Sequence, residues 1–162
     1  MESYVLKVLK NSKECSIATF SDNFIDNATI SFYSEDYNIY FGAYDFTTKC
    51  KFIERNSLVA LAVKDIQIHG ICTKICRNSP EYKRILDKYL EKFPYYNMYF
   101  NFNNNNLYKV NPLVIWVYNK SSKTMQRDKI VFDNEYYKKL KPYDYNEYTQ
   151  LDWMKNIDDG VR

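Results

Sequence analysis

The sequence predicts a mainly β fold, an antiparallel, Greek-key-like β-barrel with peripheral helices. Three observations carry that expectation. Between Cys15 and Val63, apolar runs rich in β-branched residues are separated by polar turns. One amphipathic helix pattern stands mid-chain, at Tyr82–Phe93, and further short apolar runs follow it. The chain has 162 residues, which suits one domain at ~150 residues per domain. That length buries a core without disulfides or metals.

Tyr4, Val5, Val8 and Leu9 share one face of a short N-terminal helix, which Asn11 and Ser12 end. Ser16–Phe20 reads as a first strand, with Ser21-Asp22-Asn23 as its turn. In Ala28–Tyr33, Ala28, Ile30 and Phe32 alternate with Thr29, Ser31 and Tyr33, the period of a half-buried strand. Ser34-Glu35-Asp36 turns the chain into a third strand, Asn38–Ala43. Thr47–Arg55 has helical spacing, and Asn56-Ser57 stops it. Leu58–Lys64 is nearly continuous apolar sequence, so a buried strand is expected. Asp65–Ile75 continues the sheet, with Gly70 marking a bulge or a close backbone approach.

Ser79-Pro80 opens the clearest helix, with Ser79 as N-cap and Pro80 as first helical residue. Tyr82, Ile85, Leu86, Tyr89, Leu90 and Phe93 form its apolar stripe, read as packing surface with no cofactor role. Pro94 ends it. Asn101–Asn106 reads as a loop, Leu107–Val110 and Leu113–Asn119 as two strands around Pro112, Lys129–Phe132 as a last strand, and Glu135–Lys141 as a short helix. The barrel domain is expected over 1–141. The remainder, 142–162, reads as a tail in which Trp153 anchors on the barrel or on a second subunit.

Composition narrows the function classes. Net charge is +3, with Lys and Asp/Glu interspersed. That describes a solvated surface and lacks the clustered basic patch of a dedicated nucleic-acid binder. The 17 Tyr, with plentiful Asn, Lys and Ile, reflect AT-rich coding, so no single Tyr marks a site. Met1–Lys10 mixes charge with apolar residues and is no secretory h-region. No apolar run approaches the ~20 residues of a membrane span. A cytoplasmic protein is expected, with Cys15, Cys50, Cys72 and Cys76 reduced. Cys72 and Cys76 stand four apart, and His69 is the single histidine, so no zinc site is expected.

The best place for chemistry is Gly42-Ala43 through Lys49. A strand ends there, and two hydroxyls and an ammonium open a helix. A helix start offers free N–H groups and a positive dipole end. Thr47, Thr48 and Lys49 would add donors and charge for a phosphate. The plainer alternative is Thr47 as an ordinary N-cap and Lys49 as a solvated lysine. Gln67 and His69 share one strand face, positioned either for a heterocycle and a proton or for solvent. No Gly-rich dinucleotide loop, phosphate-binding GxxxxGK[ST] loop or nucleophile elbow is present.

Residues 5–132 resemble, in order and spacing, the pyridoxamine 5′-phosphate oxidase-like split-barrel flavoproteins. The matching pieces are Ile17-Ala18-Thr19, Asn27–Phe32, Thr47-Thr48-Lys49, Asn56-Ser57-Leu58-Val59-Ala60-Leu61 and Ile66-Gln67-Ile68-His69-Gly70. Lys92-Phe93-Pro94 and Leu107-Tyr108-Lys109-Val110-Asn111-Pro112 resemble a small bacterial subgroup typified by YhbP. The resemblance implies an FMN-binding split barrel, a homodimer with FMN at the subunit interface, and flavin-dependent oxidoreductase activity on a small molecule. It implies phosphate contacts from Thr47, Thr48 and Lys49. Thr29, Ile30 and Ser31 would lie along the flavin ring, and Gly42 and Ala43 would give backbone contacts. Gln67 would approach from the adjacent strand, and Trp116 from the second subunit. Thr48 and Asn27 stand where the family carries phosphate-binding arginines, and Phe32 where oxidases proper place a substrate lysine. A lysine does not replace a bidentate guanidinium, so true pyridoxamine 5′-phosphate oxidase activity is not expected. The alternative is a non-catalytic binding module of the same fold for a flavin, a B6 vitamer, or haem with His69 as axial ligand.

Overall fold

The computed structural model describes residues 1–118 and 127–144. In order these form α1 (Glu2–Asn11), β1 (Glu14–Ser21), β2 (Phe24–Glu35), β3 (Asn38–Tyr44), α2 (Thr48–Arg55), β4 (Leu58–Val63) and β5 (Ile66–Lys74). Then come α3 (Pro80–Lys92), a 3₁₀ segment (Pro94–Asn101), β6 (Asn105–Tyr118), β7 (Arg127–Val131), α4 (Asn134–Leu140) and a final 3₁₀ turn (Lys141–Tyr143). The sheet order is β3-β2-β1-β4-β5-β6-β7, and β3 also pairs with β6. That extra pairing closes six antiparallel strands into a barrel, with β7 added on the outer edge of β6.

Local chemistry explains the hairpins. Asp22 and Asn23 sit at φ 51° and 65° between paired Ser21 and Phe24, a two-residue turn with both central residues left-handed. Asp and Asn tolerate that region, and such turns match the twist of the strands they join. Asp36 and Lys64 take positive φ in the two-residue loops of the next hairpins, β2–β3 and β4–β5. α3 begins as its sequence predicts, with Ser79 Oγ accepting from the Tyr82 N–H at 3.1 Å.

The strands around Pro112 are one strand. β6 runs unbroken past the proline because the register slips between His69 and Gly70 on β5. The slip leaves Leu113 as the extra residue of a bulge, where a proline costs no ladder bond. Gly70 is required there, since a Cβ would stand 2.5 Å from Val110 Cγ1 and 2.8 Å from the Asn111 carbonyl oxygen.

Two apolar clusters hold the fold. The barrel interior contains Ile17, Phe32, Phe41, Leu61, Ile68 and Ile115, with α1 and α2 adding Val5, Leu9, Cys50 and Ile53. Phe32 is fully buried there. Outside the barrel, Tyr82, Ile85, Tyr89 and Phe93 of α3 pack on Tyr40 of β3 and Leu107 of β6. Burying such aromatics contributes roughly 2–3 kcal/mol each. Among the described residues no helix is long and apolar enough to cross a membrane. The expected boundary at 141/142 falls within the final 3₁₀ turn, and Asp144 just beyond it is buried. The tail from 145, with Trp153, lies outside the described residues, as does Asn119.

Candidate functional site

The outer face of β2 and β3 is covered by α3 and the 3₁₀ segment, and a cavity of about 240 Å³ remains between them. Its floor is Thr29, Ile30 and Ser31 of β2 with Gly42 and Ala43 of β3. Period-2 alternation places these residues: Ile30 and Phe32 are buried toward the barrel, so Thr29 and Ser31 face outward.

At one end of the cavity stands Lys49, in the first turn of α2. Thr47 is the N-cap, but its Oγ1 donates to the Tyr44 carbonyl at 2.8 Å and does not cap the helix N–H groups. No acidic residue occupies the first turn. The helix start therefore keeps its positive end and its unfilled donors. Asn105 also lines the cavity. It is 4% exposed, and its side-chain amide has no hydrogen-bond partner among the described residues. A buried amide facing a cavity without a partner is a ready contact for a polar ligand.

The opposite wall is aromatic. Tyr89 of α3 donates to the Ser31 carbonyl at 3.2 Å, and burial pushes its phenol well up. Tyr96 Oη and Ser31 Oγ are 3.0 Å apart. Phe100 lies over Gly42, and Tyr99 meets Tyr44 edge-on at 6.5 Å.

Of the sequence-predicted site residues, Thr29, Ile30, Ser31, Gly42, Ala43 and Lys49 line this one cavity. Thr47 and exposed Thr48 sit at the adjoining helix start. Gln67 and Trp116 lie elsewhere. Gln67 Oε1 accepts from Arg127. Trp116 is 3% exposed, and its indole Nε1 donates to Asp144 Oδ2 at 3.0 Å. Sequence reading missed Tyr44, Tyr89, Tyr96, Tyr99, Phe100 and Asn105. Tyr89 does pack, as its stripe predicts, but it also walls the cavity. The one hint of Tyr96, Tyr99 and Phe100 is the crowding of Tyr95, Tyr96, Tyr99 and Phe100 behind a proline-ended helix, which marks no site by itself.

A second, apolar cleft of about 360 Å³ lies on the outer face of β1, β4 and β5, between Phe20, Ile25, Leu58, Ala60, His69 and Tyr136. His69 Nδ1 is 2.8 Å from Tyr136 Oη, and Trp116 packs edge-on against the imidazole at 4.8 Å. Burial, then the charge of Arg127, holds the imidazole below its ordinary pKa, so it is neutral at pH 7. Its orienting partner is a tyrosine 67 residues away in sequence. The same face exposes Phe20, Ile25 and Leu58, with Ile25 at 77%.

No protein-family model and no curated protein sequence matches the chain. Solved structures do match in shape. A candidate pyridoxamine 5′-phosphate oxidase of Listeria innocua aligns with TM-score 0.59 and 15% identity, over 72% of this chain and 96% of its own. An FAD-binding protein of Mesorhizobium loti gives 0.58 and 10%, over 71% and 91%. The haem storage protein HutZ of Vibrio cholerae gives 0.61 and 11%, over 80% and 93%. At these identities the likeness is one of fold. The chain has the closed antiparallel split-barrel fold of the pyridoxamine 5′-phosphate oxidase-like proteins, a fold shared by flavin-binding and haem-binding members.

Proposed function

We propose that this protein binds FMN in the cavity over β2 and β3 and works as a small flavin-dependent oxidoreductase. One observation carries the reading. Lys49 and the Asn105 amide, which has no hydrogen-bond partner among the described residues, both line a cavity floored by β2 and β3, beside the uncapped start of α2. A cation and free N–H groups suit a phosphate, and the strand floor suits a planar ring. Bound flavin would supply the electron transfer, while the chain binds and orients it. Thr48 and Asn27, in place of arginines, leave the phosphate one lysine and no bidentate clamp. That argues for modest affinity and against true pyridoxamine 5′-phosphate oxidase activity.

The protein acts as a two-fold homodimer in this reading, because Phe20, Ile25 and Leu58 form an exposed apolar face. The four cysteines are free, three of them buried, which suits the cytoplasm. Lys92-Phe93-Pro94, at the junction of α3 and the 3₁₀ segment, supports placing the chain in the YhbP-type subgroup. The test is titration of the purified protein with FMN, followed by quenching of flavin fluorescence. Saturation at one flavin per chain is expected, and unquenched flavin throughout would reject the reading.

A second reading is haem binding at the apolar cleft, and His69 is the observation that favours it. Its Nδ1 is held by Tyr136, and its Nε2 has no hydrogen-bond partner among the described residues. A neutral, oriented imidazole is a metal ligand in waiting. A haem absorption band that His69→Ala leaves unchanged would remove this reading.

A further inference from the structure

The roof of the cavity is the 3₁₀ segment Pro94–Asn101, and it rests on the two strands that would carry a flavin ring. Tyr96 takes the Ser31 hydroxyl at 3.0 Å, and Phe100 covers Gly42 so closely that even a methyl group could not stand between them. Under this roof the cavity holds about 240 Å³, less than the ~300–1,000 Å³ of pockets that enclose a drug-sized ligand. The polar end, with Lys49 and Asn105, stays open beneath it.

The roof is lightly held. None of its residues is buried, and Tyr95 and Met98 are largely exposed. Beyond the two floor contacts, ring contacts hold it: Tyr96 and Phe100 with Tyr89, Tyr95 and Tyr96 with Phe93, and Tyr99 with Tyr44. Segments with few buried contacts open at low cost.

We infer that Tyr96 and Phe100 decide which ligands the site takes. With the roof down, the cavity admits a single aromatic ring bearing an anionic group. The ring packs among the tyrosines, and the anion meets Lys49 and the start of α2. A three-ring isoalloxazine enters only when the roof lifts from Ser31 and Gly42, so the roof lowers flavin affinity selectively. This inference rests on the flavin reading of the cavity, and its test separates the two.

The experiment measures equilibrium binding of FMN and of phenyl phosphate to the full chain, to Phe100→Ala and to Tyr96→Phe. Phe100→Ala should tighten FMN by about tenfold and leave phenyl phosphate within about threefold, and Tyr96→Phe should shift FMN in the same direction by less. The milder Tyr96→Phe keeps the test alive should Phe100→Ala fold poorly. FMN bound by the variants no tighter than by the wild type overturns the roof inference and leaves the flavin reading standing. Equal gains for both ligands also overturn it, because the roof then does not discriminate. FMN bound by Phe100→Ala alone upholds the roof and removes the flavin reading for the wild type. FMN bound by no form removes both.

Discussion

The ring of Phe100 lies directly over the Cα of Gly42, where an added Cβ would stand 2.5 Å from Phe100 Cζ. That contact joins the barrel wall to the segment that roofs the cavity. Gly42→Ala should therefore push Phe100 aside and cost about 1–3 kcal/mol. Gly70→Ala should cost more, because its Cβ meets the Asn111 backbone, which cannot turn away. Urea denaturation of both variants checks the order. The reverse ranking would contradict this account of the two glycines.

Asp144 fastens the end of the described chain to the barrel. Its carboxylate, fully buried, accepts from Trp116 Nε1 and from the Tyr137 hydroxyl at 2.9 Å, and pairs with Arg127 at 3.0 Å. Asp144→Ala should destabilise the protein by about 3–5 kcal/mol, since it takes the carboxylate from a guanidinium that is itself mostly buried. The same urea series measures this, and a loss under 1 kcal/mol would show that the network contributes little.

His69 makes stability depend on pH. Its folded pKa lies below the ordinary 6.5, chiefly through burial and then through Arg127. The unfolded imidazole therefore takes its proton first as pH falls. The stabilising contribution is full above about pH 6.5 and is lost as pH falls toward the folded pKa, by at most ~1.4 kcal/mol per pH unit. His69→Gln should lack this component, so the stability gap between wild type and variant should shift against the wild type from pH 7.5 to 5.5. Parallel urea midpoints at both pH values would contradict it.

The exposed apolar face should carry the dimer. Ile25→Glu changes a residue that is 77% exposed, so the fold should tolerate it, while the charge should break a face-to-face contact. Sedimentation velocity should find a dimeric wild type and a monomeric variant. A monomeric wild type, or a variant that stays dimeric, would remove this face as the interface.

The barrel was legible because its strands announce themselves locally. Ile30 and Phe32 alternate with Thr29 and Ser31, which marked β2 as a strand, whereas the family resemblance, not the period, put Thr29, Ile30 and Ser31 at the cavity. Lys49 was legible because strand end, hydroxyls and helix start lie together in sequence. The roof was not legible. Its 3₁₀ turns have no apolar period, and Tyr96 and Phe100 matter through contacts with Ser31 and Gly42, about sixty residues away in the chain. Asn105 looked like one more asparagine in a run of them, and closure of β3 on β6 is what buries it. Reading two strands around Pro112 failed because the bulge that admits the proline is set by Gly70 on the neighbouring strand.

The most direct test of the central claim is the FMN dissociation constant of the wild type beside that of Lys49→Ala, read by flavin fluorescence quenching at constant ionic strength. Saturable binding that Lys49→Ala weakens by about tenfold or more is the predicted result. Equal affinity in the two proteins would contradict the placement of the phosphate at Lys49, and no binding to the wild type would contradict the flavin site itself.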